Sequence, residues 1–150
     1  MNHASRYLME PALDKNLFRT VVRCLGVRVR SQDVTQAQKA LGKQALLSIR
    51  KIRSIVKDGD DHRVLLLDPE KGPKSDQELK GALTTVPFET RQEQIEVNYE
   101  HLQADEILRK LLPQNVEVPS GFETVGHIAH LNLRPEHEPF KCVCYMTTRR

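Results

Sequence analysis

The chain has 150 residues, of which 39% are hydrophobic and 29% charged, and its formal net charge is +3. That length fits one ordinary domain or two small ones, and the hydrophobic fraction is sufficient for a core. No apolar run approaches the roughly 18 to 20 residues that a membrane-spanning helix requires, so we expect a folded protein with no membrane partner.

The cysteines and the first residues of the chain indicate a reducing compartment. Cys24, Cys142 and Cys144 cannot all pair within one chain, and the N-terminal residues lack the continuous apolar segment of a secretory signal. We therefore predict an intracellular protein. Six basic residues among the first thirty, against Glu10 and Asp14, leave a mitochondrial presequence as the alternative.

The positive charge is concentrated in the first third of the chain. Residues 1–57 contain 12 Lys and Arg against 3 Asp and Glu, whereas residues 58–141 contain 9 against 17. A basic third of this kind attracts polyanions through Coulomb attraction and counterion release. The competing interpretation is that the same side chains only solvate a surface.

The first predicted elements are a strand, a helix and a second strand. Alternation over residues 18–30 predicts a half-buried strand, with the valines of VRVR at 27–30 on one face and the arginines on the other, and Gly26 is predicted to form a bulge. Apolar residues at spacings of three and four predict a helix from Asp33 to Leu47.

The sequence HRVLLLD then predicts a compact strand over residues 62–68. Together these elements form a small N-terminal α/β domain over residues 1–67. Residues 68–83 contain prolines and glycines without periodicity, so we predict an exposed linker or mobile loop and a domain boundary there.

A second set of elements follows over residues 84–141. RQEQIEVNYE alternates like a strand, ADEILRKLLP at 104–113 has a single apolar helical stripe closed by proline, and FETVGHIAHLNLR at 122–134 alternates toward a core. The predicted fold class is α/β (α+β), with a small N-terminal domain, a partial second α/β domain and a divergent tail over residues 142–150.

A metal site is the first candidate for chemistry, because four potential ligands lie close together in sequence: His127, His130, Cys142 and Cys144. The two histidines differ by an odd number of positions, so in an unbroken strand they leave opposite faces. The two cysteines have one residue between them, whereas structural pairs have two to four. We therefore predict no metal site.

Catalytic patterns are equally weak. Acidic pairs at 60–61 and 105–106 are typical of solvated turns and helix starts, and Ser120-Gly121 lacks the second glycine of a nucleophile elbow. The seven glycines are all at least five positions apart, so none forms a glycine-rich loop for a nucleotide cofactor. We predict no catalytic or cofactor-binding residue in this chain.

Several strings resemble, in order, the N-terminal part of the archaeal and eukaryotic class I tRNA (guanine-N1)-methyltransferases, which modify the guanosine directly 3′ of the anticodon. The strings are LDKNLF at 13–18, IRSIVKD at 52–58, RVLLLD at 63–68, NYEHLQADEILRKLLP at 98–113 and SGFETVGHIAHLNLRPEHEPFK at 120–141. The last string is the most specific of them.

The resemblance implies an enzyme family in which two small domains precede a Rossmann-type domain that binds S-adenosyl-L-methionine. No string of that third domain is present, and CVCYMTTRR after residue 141 departs from the family pattern. We therefore expect a chain truncated before the catalytic domain, inactive by itself and without a cofactor of its own. GHIAHLNLR is expected to be a core strand of the second domain, with Ala129, Leu131 and Leu133 buried.

The resemblance also implies tRNA as the partner of a monomeric, metal-free protein located in the cytoplasm, with the nucleus or the mitochondrial matrix as alternatives. Basic side chains of the first domain are expected to contact phosphates. These candidates are Arg19, Arg23, Arg28, Arg30, Lys39, Lys43, Arg50, Lys51 and Arg53.

Three other hypotheses remain open from the sequence. One is a relative that transfers an aminocarboxypropyl group in wybutosine synthesis, and another is a stand-alone module that binds RNA or another acidic partner. The third is a zinc-stabilised interaction domain.

Overall fold

A computed structural model describes residues 13–119, 121–126 and 128–148. The chain divides into two compact units. The first unit, which we call the sheet unit, is Arg19–His101, and the second, the hairpin unit, contains the described residues of Met1–Phe18 and Leu102–Arg150. Mixed helices and antiparallel strands confirm the predicted α+β class.

The sheet unit is built on four antiparallel strands. They are β1 (Thr20–Arg30), β2 (Ile55–Asp58), β3 (His62–Leu66) and β4 (Glu89–Val97), arranged in the order β2-β3-β1-β4. β1 is therefore central, and β4 forms one edge of the sheet. The strands predicted around residues 18–30 and 62–68 are confirmed.

Gly26 lies in regular pairing and does not form the predicted bulge. It is opposite Leu66 on one side and Arg91 on the other, with unbroken register along β1. A Cβ placed on Gly26 would lie 2.8 Å from Cγ of Glu93 and 2.9 Å from Cγ1 of Val64. Glycine is needed at this position because two neighbouring side chains close over it.

One face of the sheet, which we call the helix face, packs against α1 (Val34–Leu41) and α2 (Asp76–Ala82). Its core contains Val27 and Val29 of β1, which are at most 1% exposed. Burial of apolar surface on this scale is the main stabilising contribution to a domain of this size.

The helix predicted to extend to Leu47 ends at Leu41, so that prediction is wrong in its C-terminal part. Gly42 follows with φ of +81°, where only glycine is free of strain. The chain then makes a 3-10 turn over Lys43–Ala45 and passes into an extended bridge between Leu46 and Leu67. The apolar spacing continues past Leu41 because these residues still face the core.

The opposite face of the sheet, which we call the loop face, is covered at one end by residues 47–54. Leu47, Ile49 and Ile52 of this segment pack against a cluster that includes Cys24 and Leu66. Two backbone hydrogen bonds join the segment to β3, from Leu47 N–H to the carbonyl of Leu66 at 2.8 Å and from Leu66 N–H to the carbonyl of Ser54 at 2.7 Å.

The structure divides the chain at different positions from the predicted ones. Residues 68–83, predicted as a linker, contain α2, whose Leu79 is 0% exposed within the helix-face core. β4 then pairs with β1 along its whole length, so the first compact unit continues to His101. Ser75 starts α2 by accepting the N–H of Glu78 at 3.3 Å.

The hairpin unit contains α3 (Ala104–Leu111), β5 (Phe122–Val125), β6 (Ile128–Leu131) and α4 (Lys141–Thr148). The predicted helix before Pro113 is confirmed, with the Glu106 carboxylate accepting the N–H of Gln103 at 2.6 Å. Leu108 packs against Cys144 of α4 in the core of this unit.

The single strand predicted over residues 122–134 is a hairpin, because Gly126 takes a φ of +64° at its turn. Leu131 and Leu133 are only half-buried, and the side chain of Ala129 lies outside the described part of the structure. Most of the predicted divergent tail over 142–150 belongs to α4. Among the described residues, no helix has the length and apolar character needed to cross a membrane.

Candidate nucleic-acid interface

All nine basic residues that were predicted to contact RNA phosphates lie in the sheet unit. Three of them already have carboxylate partners. Nε of Arg19 lies 2.8 Å from Oε1 of Glu96, and Nζ of Lys51 lies 3.4 Å from Oε2 of Glu100. Both pairs are exposed, so each contributes little to stability and can exchange its partner. The third, Arg28, is held more firmly.

Arg28 is the centre of a charged network that spans the loop face. Its Nε donates to Oδ2 of Asp58 at 2.7 Å, and its Nη1 donates to Oε2 of Glu89 at 3.1 Å. Arg91 extends the network by contacting both Asp58, at 3.6 Å, and Glu93. Arg28 therefore serves the sheet itself and is not free for a phosphate.

The network fixes the protonation state of its central carboxylate. The hydrogen bond from Arg28 lowers the pKa of Asp58, and the nearby charge of Arg91 acts in the same direction. The same bond raises the pKa of Arg28. Asp58 thus remains an anion in neutral solution and has no proton to donate as a general acid there.

Six of the nine candidates are exposed and have no carboxylate partner among the described residues. They are Arg23, Arg30, Lys39, Lys43, Arg50 and Arg53. An unpaired exposed cation can meet a phosphate without first giving up an existing ion pair. These six are the members of the predicted set that remain available to a polyanion.

The sheet separates these six cations into two groups. Alternation along β1 places Arg23 on the helix face, the side of the sheet on which α1 with Lys39 and the turn with Lys43 also pack. Arg30 points to the loop face, and the segment that contains Arg50 and Arg53 also packs on that side. The predicted residues therefore do not form one continuous surface.

A basic residue missed by the sequence analysis lies beside Arg23. Lys74 and Arg23 line a cavity of about 160 Å³ on the helix face, together with Gln92 of β4 and Asp68. Lys74 lies in the segment predicted as a linker, so its neighbours could not be inferred from the sequence. Residues 68–83 are rich in proline and glycine, which is typical of a linker, but the segment folds back onto the sheet.

The structure gives no support to the catalytic patterns considered from the sequence. Asp60 and Asp61 occupy the turn between β2 and β3, and Asp105 and Glu106 begin α3. Burial raises the pKa of the Cys24 thiol, and the charge of Glu93 raises it further, so this thiol remains protonated and unreactive. Ser120 lies outside the described residues.

The structure describes three of the four residues considered from the sequence as metal ligands. His127 lies outside the described residues, and His130 is exposed on β6. Cys142 is exposed on α4, while Cys144 is buried. Across the ranges that the structure describes, no group of three or more His, Cys, Asp or Glu side chains is placed to hold a metal ion.

The sheet unit thus combines four antiparallel strands with exposed cations that have no carboxylate partner among the described residues. Comparison with known proteins shows which sequences the chain is similar to. Residues 104–146 match the family model described as the TYW2 N-terminal domain. No solved structure matches the chain.

Curated relatives extend the match to most of the chain. A human tRNA (guanine(37)-N(1))-methyltransferase is 37% identical over 136 residues, covering 86% of this chain and 26% of the relative. The protein of the same name from Phytophthora infestans is 34% identical over 149 residues, covering 91% of this chain and 36% of the relative. The similarity to the tRNA (guanine-N1)-methyltransferase family predicted from the sequence is therefore confirmed, and the chain spans about a quarter to a third of the length of these relatives.

Proposed function

We propose that this chain is the tRNA-engaging portion of an S-adenosyl-L-methionine-dependent tRNA (guanine-N1)-methyltransferase. The observation that carries this proposal is the 34–37% identity to proteins of that name over 86–91% of the chain. An aminocarboxypropyl transferase is not favoured, because the curated relatives reported above carry the methyltransferase name.

The part assigned to this chain is positioning of the substrate. S-adenosyl-L-methionine supplies the methyl group in such a reaction, and the chain holds the folded RNA through its phosphates. Six cations of the sheet unit that have no carboxylate partner among the described residues suit this task, since phosphate contacts fix the orientation of a nucleic acid without reading its bases. For double-stranded regions of RNA, shape and backbone contacts dominate recognition.

Binding of labelled tRNA transcript, followed by fluorescence anisotropy between about 50 and 200 mM salt, tests the proposal. We expect the affinity to fall steeply with salt, because each phosphate contact releases condensed counterions. A variant with the six unpaired cations replaced by glutamine is expected to lose most of this binding.

Arg109→Gln and Lys141→Gln provide a control that removes cations outside the sheet unit. Both cations lie in the hairpin unit and face nearby carboxylates, Asp105 at 3.5 Å and Glu138 at 3.5 Å. These variants are expected to bind tRNA like the wild type. An affinity that does not change with salt, or no binding at low salt, would reject the proposal.

A further inference from the structure

The cavity beside Arg23 is formed where three parts of the sheet unit meet on the helix face. Arg23 and Leu25 of β1 form one wall, and Gln92, which pairs with Leu25, extends that wall along β4. Residues 67–69 with Pro73 and Lys74 form the other wall. Both walls belong to the same compact unit.

The loop wall is held in place by its own hydrogen bonds. Asp68 donates its N–H to the carbonyl of Ala45 at 2.9 Å, and its carbonyl accepts the N–H of Gly72 at 2.8 Å. A Cβ on Gly72 would lie 2.8 Å from the carbonyl oxygen of Ala45, so the loop packs closely on the core. The cavity is consequently preformed, which lowers the entropic cost of binding.

The charges around the cavity leave one positive charge unmatched. Arg23 and Lys74 have no carboxylate partner among the described residues, whereas Asp68 carries one negative charge on the rim. Oδ1 of Asp68 already accepts the N–H groups of Glu70 at 2.9 Å and Lys71 at 3.1 Å. The remaining balance of +1 suits a singly charged anion with acceptor oxygens.

We propose that this cavity binds one phosphodiester group of the RNA backbone, between the guanidinium of Arg23 and the ammonium of Lys74. Arg23 offers a planar fork of N–H donors for two phosphate oxygens, and Lys74 adds a point charge. The amide of Gln92 supplies a neutral donor at the same wall. The inference rests on the proposed function and assigns it a specific contact that includes Lys74.

The test measures the salt dependence of tRNA binding for the double variant Arg23→Gln/Lys74→Gln. Loss of one phosphate contact is expected to lower the slope of log affinity against log salt by about one, and to weaken binding for every tRNA sequence alike. The charge-retaining variant Arg23→Lys/Lys74→Arg is expected to recover most of the slope. Thermal unfolding of each variant checks that the sheet unit remains folded.

A control with the same loss of charge separates this cavity from the general field of the protein. Lys71→Gln/Lys80→Gln removes two exposed cations of the same compact unit, and neither residue lines the cavity or belongs to the six candidates above. If this control lowers the slope as much as the cavity variant does, the assignment to this cavity is overturned.

Inorganic phosphate tests whether the cavity binds free phosphate or the phosphodiester of RNA. It is added to the isotopically labelled wild type, with sulfate as a matched anion, and the NMR signals of the Gln92 side-chain amide are followed. We expect these signals to remain nearly unshifted at concentrations where tRNA shifts them strongly. Equal shifts with free phosphate would overturn the assignment to RNA. If the cavity variant binds tRNA with an unchanged slope, this inference fails while the proposed function stands; if the wild type does not bind tRNA, both fail.

Discussion

Gly26 shows that the fit between β1 and its neighbours depends on a single missing methyl group. A Cβ there would approach Glu93 and Val64 to within 3.0 Å, so we expect Gly26→Ala to destabilise the sheet unit by about 1–3 kcal/mol through overpacking. Urea unfolding of the full chain measures this change.

Gly81→Ala is the matched control for that substitution. Gly81 lies within α2 without positive φ, and a Cβ there would meet nothing within 4 Å. Alanine is expected to stabilise that helix by about 0.5–1 kcal/mol. Equal unfolding midpoints for the two variants would contradict the close approach at Gly26.

Asp58 makes the stability of the sheet unit dependent on pH. Because Arg28 lowers its pKa in the folded state, the contribution of Asp58 is fully present above the usual aspartate pKa of about 4 and is lost as the pH falls through the lower, folded value. We expect Asp58→Asn to be less stable than the wild type at neutral pH, with the difference shrinking in acid.

Urea unfolding of wild type and variant at a series of pH values checks the Asp58 prediction. Asp60→Asn serves as the control, since Asp60 is 98% exposed and its contact with Lys57 is 3.7 Å long. A stability difference for Asp58→Asn that is the same at all pH values would show that the charged network is not its origin.

At the scale of the element, α2 decides whether residues 68–83 are part of the sheet unit or a linker. Leu79 is fully buried against the helix-face core, so Leu79→Ala is expected to cost about 2–5 kcal/mol by removing apolar contacts and leaving a cavity. Calorimetric or denaturant unfolding measures this loss. Gln77→Ala, on the exposed side of the same helix, is expected to have little effect.

β1 and β3 were predictable from sequence, whereas α2 was not, and the reason is physical. Alternation along β1 and the apolar run of β3 are local patterns that follow directly from burial of one or both strand faces. α2 has only seven residues and buries chiefly Leu79, so it shows no helical period. Its stability comes from the core that it contacts, and tertiary packing of that kind is not visible in a short window of sequence.

Tertiary contacts also decide which charged side chains of the candidate interface are available, and a short stretch of sequence does not show them. The sequence identifies basic residues but not their partners, because the carboxylates come from distant positions: Glu89 lies 61 residues after Arg28, and Glu96 lies 77 after Arg19. Which cations are free is a property of strand pairing. Lys74 became a candidate only once the fold placed it beside Arg23.

For the whole molecule, the two compact units differ in charge. The sheet unit contains 15 Lys and Arg against 12 Asp and Glu, whereas residues 102–148 contain 4 against 6. Under the proposed function, we expect RNA to protect residues within Arg19–His101 more than residues within 102–148. Lysine modification read by mass spectrometry, with and without tRNA, measures this pattern.

Lys110 offers an internal reference for that experiment. It belongs to the hairpin unit, and its ammonium lies 5.8 Å from the centre of the Phe18 ring. Its rate of modification is expected to be unchanged by tRNA, while that of Lys74 falls. Protection confined to residues 102–148 would place the RNA on the wrong unit for the function proposed here.

β4 is an edge strand of the sheet formed by the described residues, and its charge affects self-association of the chain. An outermost strand offers unpaired peptide groups to any passing polypeptide, which is a known route to fibrils. Glu89, Arg91, Glu93 and Glu96 give nine border residues a net charge of −2, so two copies brought side by side would repel each other. The acidic residues that pair with cations of the sheet unit thus also disfavour edge-to-edge association between two copies of the chain.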